Sequence, residues 1–303
     1  MTMHDSIPRL VNTDQAEAWN GYEGAHWAGH PDRYDAVNSE FNEPLLAAVG
    51  LSGDDGGDGG AGAAGGARVL DVGCGNGQLT RLAARRAARG AAVGLDLSAP
   101  MLETARERAA REGVGNVAFV RGDAQTHTFD GPPFDAVLSR FGVMFFADPV
   151  AAFANLAGAL RPGGRLAFVS MRPFEDQDLG EVVAALSRAL PAAPWQYERD
   201  AAPEEKGPVS LSDPAVVRGL LERAGFTGVG VAPLDATQRW GSDAEDAASF
   251  LAAWGPVRHH MTGVGEEVTR RAGEALTEAM RRYEGPRGVE LRGAAWLVTA
   301  VRP

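Results

Sequence analysis

The stretch that decides the fold is Arg68-Val69-Leu70-Asp71-Val72-Gly73-Cys74-Gly75-Asn76-Gly77-Gln78-Leu79-Thr80. Val69 to Val72 is a short run of β-branched and aliphatic residues, which reads as a buried strand. Three glycines at alternate positions follow it, and a helix-like segment begins after them. Glycine has no Cβ, so the chain can turn tightly there and bring bare N–H groups against a ligand. In a parallel α/β sheet such a turn lies at the carboxyl end of the first strand, where ligands bind.

The spacing narrows the ligand. Dinucleotide-binding units use G-x-G-x-x-G, which seats a pyrophosphate on the helix N-terminus. Here the glycines run G-x-G-x-G, Gln78 stands where the last glycine of that pattern belongs, and Asp71 precedes the first glycine by two residues. This arrangement resembles the first motif of class I S-adenosylmethionine-dependent methyltransferases. The resemblance implies that Asp71 helps bind the methionine ammonium of the cofactor. It also implies that the turn carrying Gly73, Gly75, Gly77 and Gln78 passes beneath the aminoacyl and ribose groups.

The segments that follow keep the order of that family. Ala91 to Ser98 reads as a second strand that ends on Asp96, about twenty residues beyond the turn. A carboxylate there can accept two hydrogen bonds from a ribose diol, and Leu97 beside it joins the cofactor-binding set. Ser98 reads as the N-cap of a helix running to Glu112, whose Met101 either touches the adenine or only packs. Val117 to Arg121 reads as the third strand. The Gly122-Asp123-Ala124-Gln125 segment after it resembles the one that, in the family, binds adenine through an acidic side chain and the next backbone N–H. Asp123 and Ala124 inherit those roles. Phe134 to Ser139 reads as the fourth strand, and the resemblance places Arg140 and Phe141 close to the methionyl part of the cofactor. Met144 is a substrate-pocket candidate, whereas Phe145 and Phe146 read as core. Asp148 to Leu160 is a capped helix with Pro149 in its first turn, and Arg161-Pro162-Gly163-Gly164 leads into a fifth strand at Arg165 to Ser170.

The flanking thirds match the family in outline only. Residues 1–50 read as an N-terminal helical lid in which Trp19, Tyr22 and Trp27 are candidates to touch substrate, with one helix running from Asp32 to Val49. Residues 51–67 are a Gly/Ala/Asp tract too poor in apolar side chains to offset its ordering entropy, and read as a flexible linker. Residues 68–303 read as the methyltransferase domain, with a cap inserted at about 171–210 that carries a helix from Asp178 to Leu190 and Trp195. Past it come helices at Asp213 to Ala224, Ser242 to Trp254 and Gly263 to Tyr283, and strands at Val229 to Pro233 and Leu291 to Val301. The last strand is expected to run antiparallel between the fifth and sixth. The expected architecture is a Rossmann-like, doubly wound α/β fold with a mostly parallel seven-stranded sheet.

Composition bounds the partners. The 303 residues carry a formal net charge of −11, which argues against a nucleic-acid backbone, and no apolar run reaches membrane-spanning length. The single cysteine, Cys74, excludes an intrachain disulfide and reads as a small filler against the sheet. These observations predict a cytoplasmic protein with a small-molecule partner and no metal; the oligomeric state stays open, a homodimer included.

The expected activity is methyl transfer from S-adenosyl-L-methionine to O, N or C of a small molecule, in secondary metabolism or quinone-like biosynthesis. Such a displacement needs alignment and exclusion of water more than acid–base machinery. His259, His260 and His26 are the general-base candidates. Two rival readings stand beside it. One is a protein that binds the cofactor without transferring methyl, as a cyclase or a binding module. The other is an NAD-dependent oxidoreductase, against which Gln78 and the Gly122-Asp123-Ala124 segment weigh.

Overall fold

The computed structural model describes residues 10–51, 66–190 and 207–303. Four short helices lead: α1 (Thr13–Asn20), α2 (Tyr22–Gly29), α3 (Pro31–Asn38) and α4 (Asn42–Ala48). The alternating core follows as β1 (Arg68–Val72), α5 (Gln78–Arg86), β2 (Ala91–Asp96), α6 (Ala99–Arg111), β3 (Val117–Arg121), β4 (Phe134–Arg140), α7 (Pro149–Ala159) and β5 (Leu160–Met171). The last third holds α8 (Asp178–Ala189), α9 (Pro214–Arg223), β6 (Thr227–Gly241), α10 (Ala244–Ala253), α11 (Gly255–Met261), α12 (Glu266–Arg281), β7 (Glu284–Gly285) and β8 (Gly288–Val301).

Seven strands lie in the order β3-β2-β1-β4-β5-β8-β6, and the two-residue β7 pairs with β8. Strands β1 to β5 pair in parallel, whereas β8 runs antiparallel to both β5 and β6. The order reverses between β1 and β4, so the carboxyl ends of β1, β2 and β4 open a crevice at a topological switch point. The expected seven-stranded sheet with its inserted antiparallel strand is therefore present. Side-chain caps set several helix starts: Ser98 accepts from the Met101 N–H, Asp148 from Ala151 and Asp213 from Ala215.

Two of the departures from the sequence-based boundaries bear on the site. The expected helix from Asp32 to Val49 is broken by a 3-10 turn at Ser39–Phe41. Pro44 has no N–H, and its ring would clash with the carbonyl four residues back in a continuous helix, so α4 starts anew at Asn42. The sixth strand, expected to end at Pro233, continues to Gly241. It lies at the sheet edge, where a proline's missing N–H costs no ladder bond, and it pairs with β8 as far as Gly241↔Val289, with register shifts between Thr227 and Gly230 and between Arg239 and Gly241.

The extension of β6 and β8 creates a second core. Tyr34 and Val37 of α3, Leu179 to Leu186 of α8, Trp240 of β6, Phe250 of α10, Ala272 to Met280 of α12, and Val289 and Leu291 of β8 bury one another there. A separate cluster around Phe153, Phe168, Leu156 and Val137 fills one face of the parallel sheet. The helices of the second core thus stand over the carboxyl edge of the sheet, on the long β6–β8 ribbon. No helix of the described residues is long and apolar enough to cross a membrane.

Candidate active site

A cavity of about 620 Å³ opens at the switch point, between the strand ends, the N-terminal helices and the second core. Its floor is the glycine turn. Gly73, Gly75 and Gly77 all take left-handed backbone conformations, which an L side chain adopts only with strain. At Gly73 a Cβ would also stand 2.7 Å from the Gly142 Cα, so the loops leaving β1 and β4 touch backbone to backbone. Gly77 serves another purpose: a Cβ there would meet the Phe119 ring at 2.6 Å, so this glycine lets α5 close onto β3 and does not line the cavity.

Five carboxylates border the cavity, Glu23, Asp35, Asp71, Asp96 and Asp123, and the last three are each held differently. Asp96 accepts the Gly75 N–H on one oxygen and the Ser98 N–H on the other, both at 2.8 Å, while burial raises its pKa. Those backbone donors fix the carboxylate's orientation. Asp71, only 1% exposed, accepts the Thr80 hydroxyl at 2.6 Å. Burial pushes its pKa up to about 7, against the smaller lowering effects of Thr80 and the nearby Arg140 guanidinium. Asp123 receives the Val11 and Asn12 N–H groups at 3.1 and 2.9 Å on one oxygen and the Gln125 N–H at 3.0 Å on the other. The chain just ahead of α1 is therefore pinned across the end of β3. Asn12 also donates to the Phe145 carbonyl at 2.7 Å, and Asn20 donates to the Leu97 carbonyl at 3.0 Å. Both bonds draw α1 over the cavity.

Arg140 follows from where β4 ends. Its Nη1 donates to the Asn38 carbonyl and to the side-chain oxygens of Asn42 and Gln78. Among the described residues no carboxylate lies within ion-pair distance, and Nε and Nη2 donate to no protein group. A guanidinium presents its donors in a planar fork that matches a carboxylate. Arg140 thus offers the cavity an open cationic edge close to the Asp71 carboxyl, a pairing suited to the two charges of an amino acid. Phe141 next to it has φ 62°, the one non-glycine residue with positive φ among the described residues. Such a conformation costs on the order of 1–3 kcal/mol and persists where the surroundings enforce it. Here the Gly73–Gly142 contact on one side and the Phe41 ring, 5.0 Å away, on the other hold it.

The structure sorts the remaining sequence candidates. Gly73, Gly75, Asp71, Asp96, Leu97, Met101, Asp123, Ala124, Arg140, Phe141, Met144, Trp19, Trp27, His259 and His260 line the one cavity. Gln78 does not; its side chain is turned to Arg140 and Asn42, where it positions the guanidinium. Tyr22 is 41% exposed, donates its hydroxyl to the Ala253 carbonyl and lies under the Arg258 guanidinium, away from the cavity wall. His26 is also outside it, because its ring stacks on Tyr22 at 5.6 Å and against His30 at 4.4 Å. His259 and His260 sit in α11, a short helix between those expected at Ser242 to Trp254 and Gly263 to Tyr283. Trp195 lies outside the described residues. Cys74 is buried and its thiol is raised well above its ordinary pKa by desolvation, as a filler would be.

The sequence reading missed a whole wall. Glu23, Tyr34, Phe41, Gln177, Gln238, Trp240, Phe250 and Trp254 also line the cavity. The signal for two of them was present, since Gln238 and Trp240 alternate as strand neighbours on one face. It was hidden because the strand was ended at Pro233. Burial raises the Glu23 pKa, against the Arg258 charge and the Gly255 N–H that lower it.

Comparison with known proteins agrees with this geometry. Residues 69–164 match the family described as a methyltransferase domain. The chain is 34% identical to nocamycin O-methyltransferase of Saccharothrix syringae over 205 residues, which cover 65% of this chain and 69% of that one. It is 40% identical to aklanonic acid methyltransferase of a Streptomyces species over 106 residues, 35% of this chain and about half, 48%, of that relative. A solved structure of phosphoethanolamine N-methyltransferase 2 from Haemonchus contortus with S-adenosyl-L-methionine has a TM-score of 0.54 at 17% identity. It covers 97% of this chain and 60% of that one, a likeness of fold. With a match of this extent to the nocamycin enzyme, and with the glycine turn and Asp96 meeting at the switch point, the chain belongs to the class I S-adenosylmethionine-dependent methyltransferases.

Proposed function

We propose that this protein transfers a methyl group from S-adenosyl-L-methionine to a small-molecule acceptor, in secondary metabolism or quinone-like biosynthesis. The observation that carries the reading is the single cavity in which the glycine turn, Asp71, Asp96 and the open edge of Arg140 meet an aromatic wall. When bound, the cofactor supplies an electrophilic methyl on a sulfonium, with a thioether as the leaving group. The residues present fit it: Asp96 has lone pairs left for a ribose diol, and Asp71 and Arg140 suit the amino and carboxylate groups of the methionyl arm. Arg140 reaches that arm because Gln78 and Asn42 hold its other edge.

The remaining work is alignment and the exclusion of water. Trp19, Trp27, Phe141, Met144 and Phe145 enclose the space beside the glycine turn. Trp19 packs edge-on against both Trp27 and Phe145, at 5.8 and 5.6 Å. The N-terminal helices act as a lid on this reading, latched by the Val11 and Asn12 bonds to Asp123. A further attachment is the Asn76 side chain, which donates to the Trp27 carbonyl at 2.9 Å. His259 and His260, which line the cavity, take the role of holding a proton from an acceptor hydroxyl on this reading. Burial and the neighbouring His259 lower the His260 pKa, which favours the neutral, proton-accepting ring at neutral pH.

The test is calorimetric titration with S-adenosylmethionine, S-adenosylhomocysteine and NAD, on the native chain and an Asp96→Ala variant. Binding of the first two, lost in the variant, followed by methyl release with an acceptor panel, is the expected result. Binding of NAD alone would refute the reading. Tight cofactor binding with no methyl release to any acceptor would leave a binding module in its place.

A further inference from the structure

The far wall of the cavity carries buried polar atoms that find no hydrogen-bond partner among the described residues. Gln238 is 8% exposed and lines the cavity, yet its amide makes no hydrogen bond to any described residue. Tyr34 and Trp240, at 5% and 6% exposure, line the same wall, and neither the Tyr34 hydroxyl nor the Trp240 indole N–H has a hydrogen-bond partner among the described residues. Buried polar groups are almost always hydrogen-bonded, so three such side chains on one cavity wall call for an explanation.

They come from two elements that meet there. Gln238 and Trp240 are two apart on β6, both buried and both facing the cavity, Trp240 at the point where the ladder with β8 shifts. Tyr34 comes from α3, which is tied to that strand where Arg33 donates to the Trp240 carbonyl at 2.6 Å. Phe250 lies between the two aromatic side chains, 5.1 Å from the Tyr34 ring and 6.2 Å from that of Trp240. Room for the amide is built in: a Cβ on Gly293 of the neighbouring β8 would stand 2.5 Å from the Gln238 side-chain carbonyl carbon.

We propose that Gln238, Tyr34 and Trp240 form an acceptor subsite that recognises an uncharged carbonyl or hydroxyl oxygen on a flat ring system. The proposal deepens the methyltransferase reading and rests on it for the word acceptor. The indole N–H can only donate, the phenol can donate or accept, and the amide can do either by rotating. Together they suit oxygen functions. None of the three carries charge, so an ionised ligand group would be desolvated there without compensation. The rings of Tyr34, Trp240 and Phe250 suit a flat skeleton. The three polar atoms are shut off from water, so a ligand oxygen reaches them by small side-chain shifts of the kind common on binding.

The experiment titrates 2-naphthol, naphthalene and 2-naphthoate into the protein, with and without S-adenosylhomocysteine, in wild type, Gln238→Leu and Gly293→Ala. The naphthol should bind at least about tenfold more tightly than naphthalene, one net hydrogen bond's worth, and more tightly than the naphthoate. Gln238→Leu should abolish the advantage over naphthalene, and Gly293→Ala should reduce it by displacing the amide. The ligand-free Leu variant should melt no lower than wild type, because it removes an unpartnered buried amide, and its affinity for S-adenosylhomocysteine should be unchanged. Equal binding of naphthol and naphthalene in wild type, failure of the naphthol to bind, preference for the naphthoate, or an advantage that survives Gln238→Leu would each overturn the proposal. Failure of S-adenosylhomocysteine to bind would instead retire the methyltransferase reading, while the unloaded titrations still decide the subsite.

Discussion

Replacing Asp71 by asparagine should make the protein more stable and worse at holding its cofactor. The wild-type carboxyl is fully buried and titrates at about 7 in the folded chain, against an ordinary value of 3.8. Below pH 3.8 it is protonated in both states and has no effect on stability. As pH rises from there, the unfolded chain releases the proton while the folded chain keeps it, so stability falls until both are ionised above pH 7. At about 1.4 kcal/mol for each tenfold difference in proton affinity, the buried charge costs the fold about 4 kcal/mol at pH 8. Asparagine keeps an oxygen for the Thr80 hydroxyl and removes the charge. Asp71→Asn should therefore exceed wild type by about 2–4 kcal/mol at pH 8, with the gap closing towards pH 4. Urea unfolding at a series of pH values measures this. The same variant should bind S-adenosylhomocysteine about 10- to 100-fold more weakly, through loss of one charge-assisted hydrogen bond to the ammonium. A stability gap that does not change with pH, or a variant less stable than wild type at pH 8, would refute the argument that burial governs this carboxyl.

Three further outcomes follow from the geometry. Arg140→Lys keeps the charge but not the planar fork, so cofactor affinity should fall about tenfold in calorimetry; unchanged affinity would remove Arg140 from the methionyl site. Asp123→Ala leaves the Val11, Asn12 and Gln125 N–H groups without their acceptor, and amide exchange at Val11 and Asn12 should accelerate while β1 stays protected. Unchanged exchange at those two amides would show that the latch is not what holds the leading segment. Gly77→Ala combines a left-handed backbone with a 2.6 Å collision against Phe119 and should destabilise by about 2–4 kcal/mol. Gly113→Ala, equally left-handed but in open space, should cost only about 1–2 kcal/mol, and equal losses in the two would contradict the packing role given to Gly77.

The sequence by itself determined the parallel half of the fold and the cofactor edge. Short apolar strands, glycines that must turn, capping residues such as Ser98 and Asp148, and a carboxylate at the end of β2 are local features, and local sterics act the same wherever the segment ends up. Asp96 stood out from its place at a strand end, the family resemblance pointed to Asp71, Asp123 and Arg140, and all four line one cavity. Tertiary structure alone decided the far wall. Pro233 looks like a stop until one sees that β6 is an edge strand, and only the ladder with β8 carries Gln238 and Trp240 over the crevice. The aromatics ahead of the glycine turn were likewise ambiguous. Trp19 and Trp27 enter the cavity while Tyr22 and His26 turn away, a choice set by contacts with Phe145 and Arg258 from distant parts of the chain and with Tyr34 of the next helix. Gln78 matched a motif, yet its side chain was free to take the better partner, and the buried guanidinium of Arg140 claimed it. Backbone turns are encoded next to where they occur; the direction of a side chain is settled by whichever neighbour packing brings within reach.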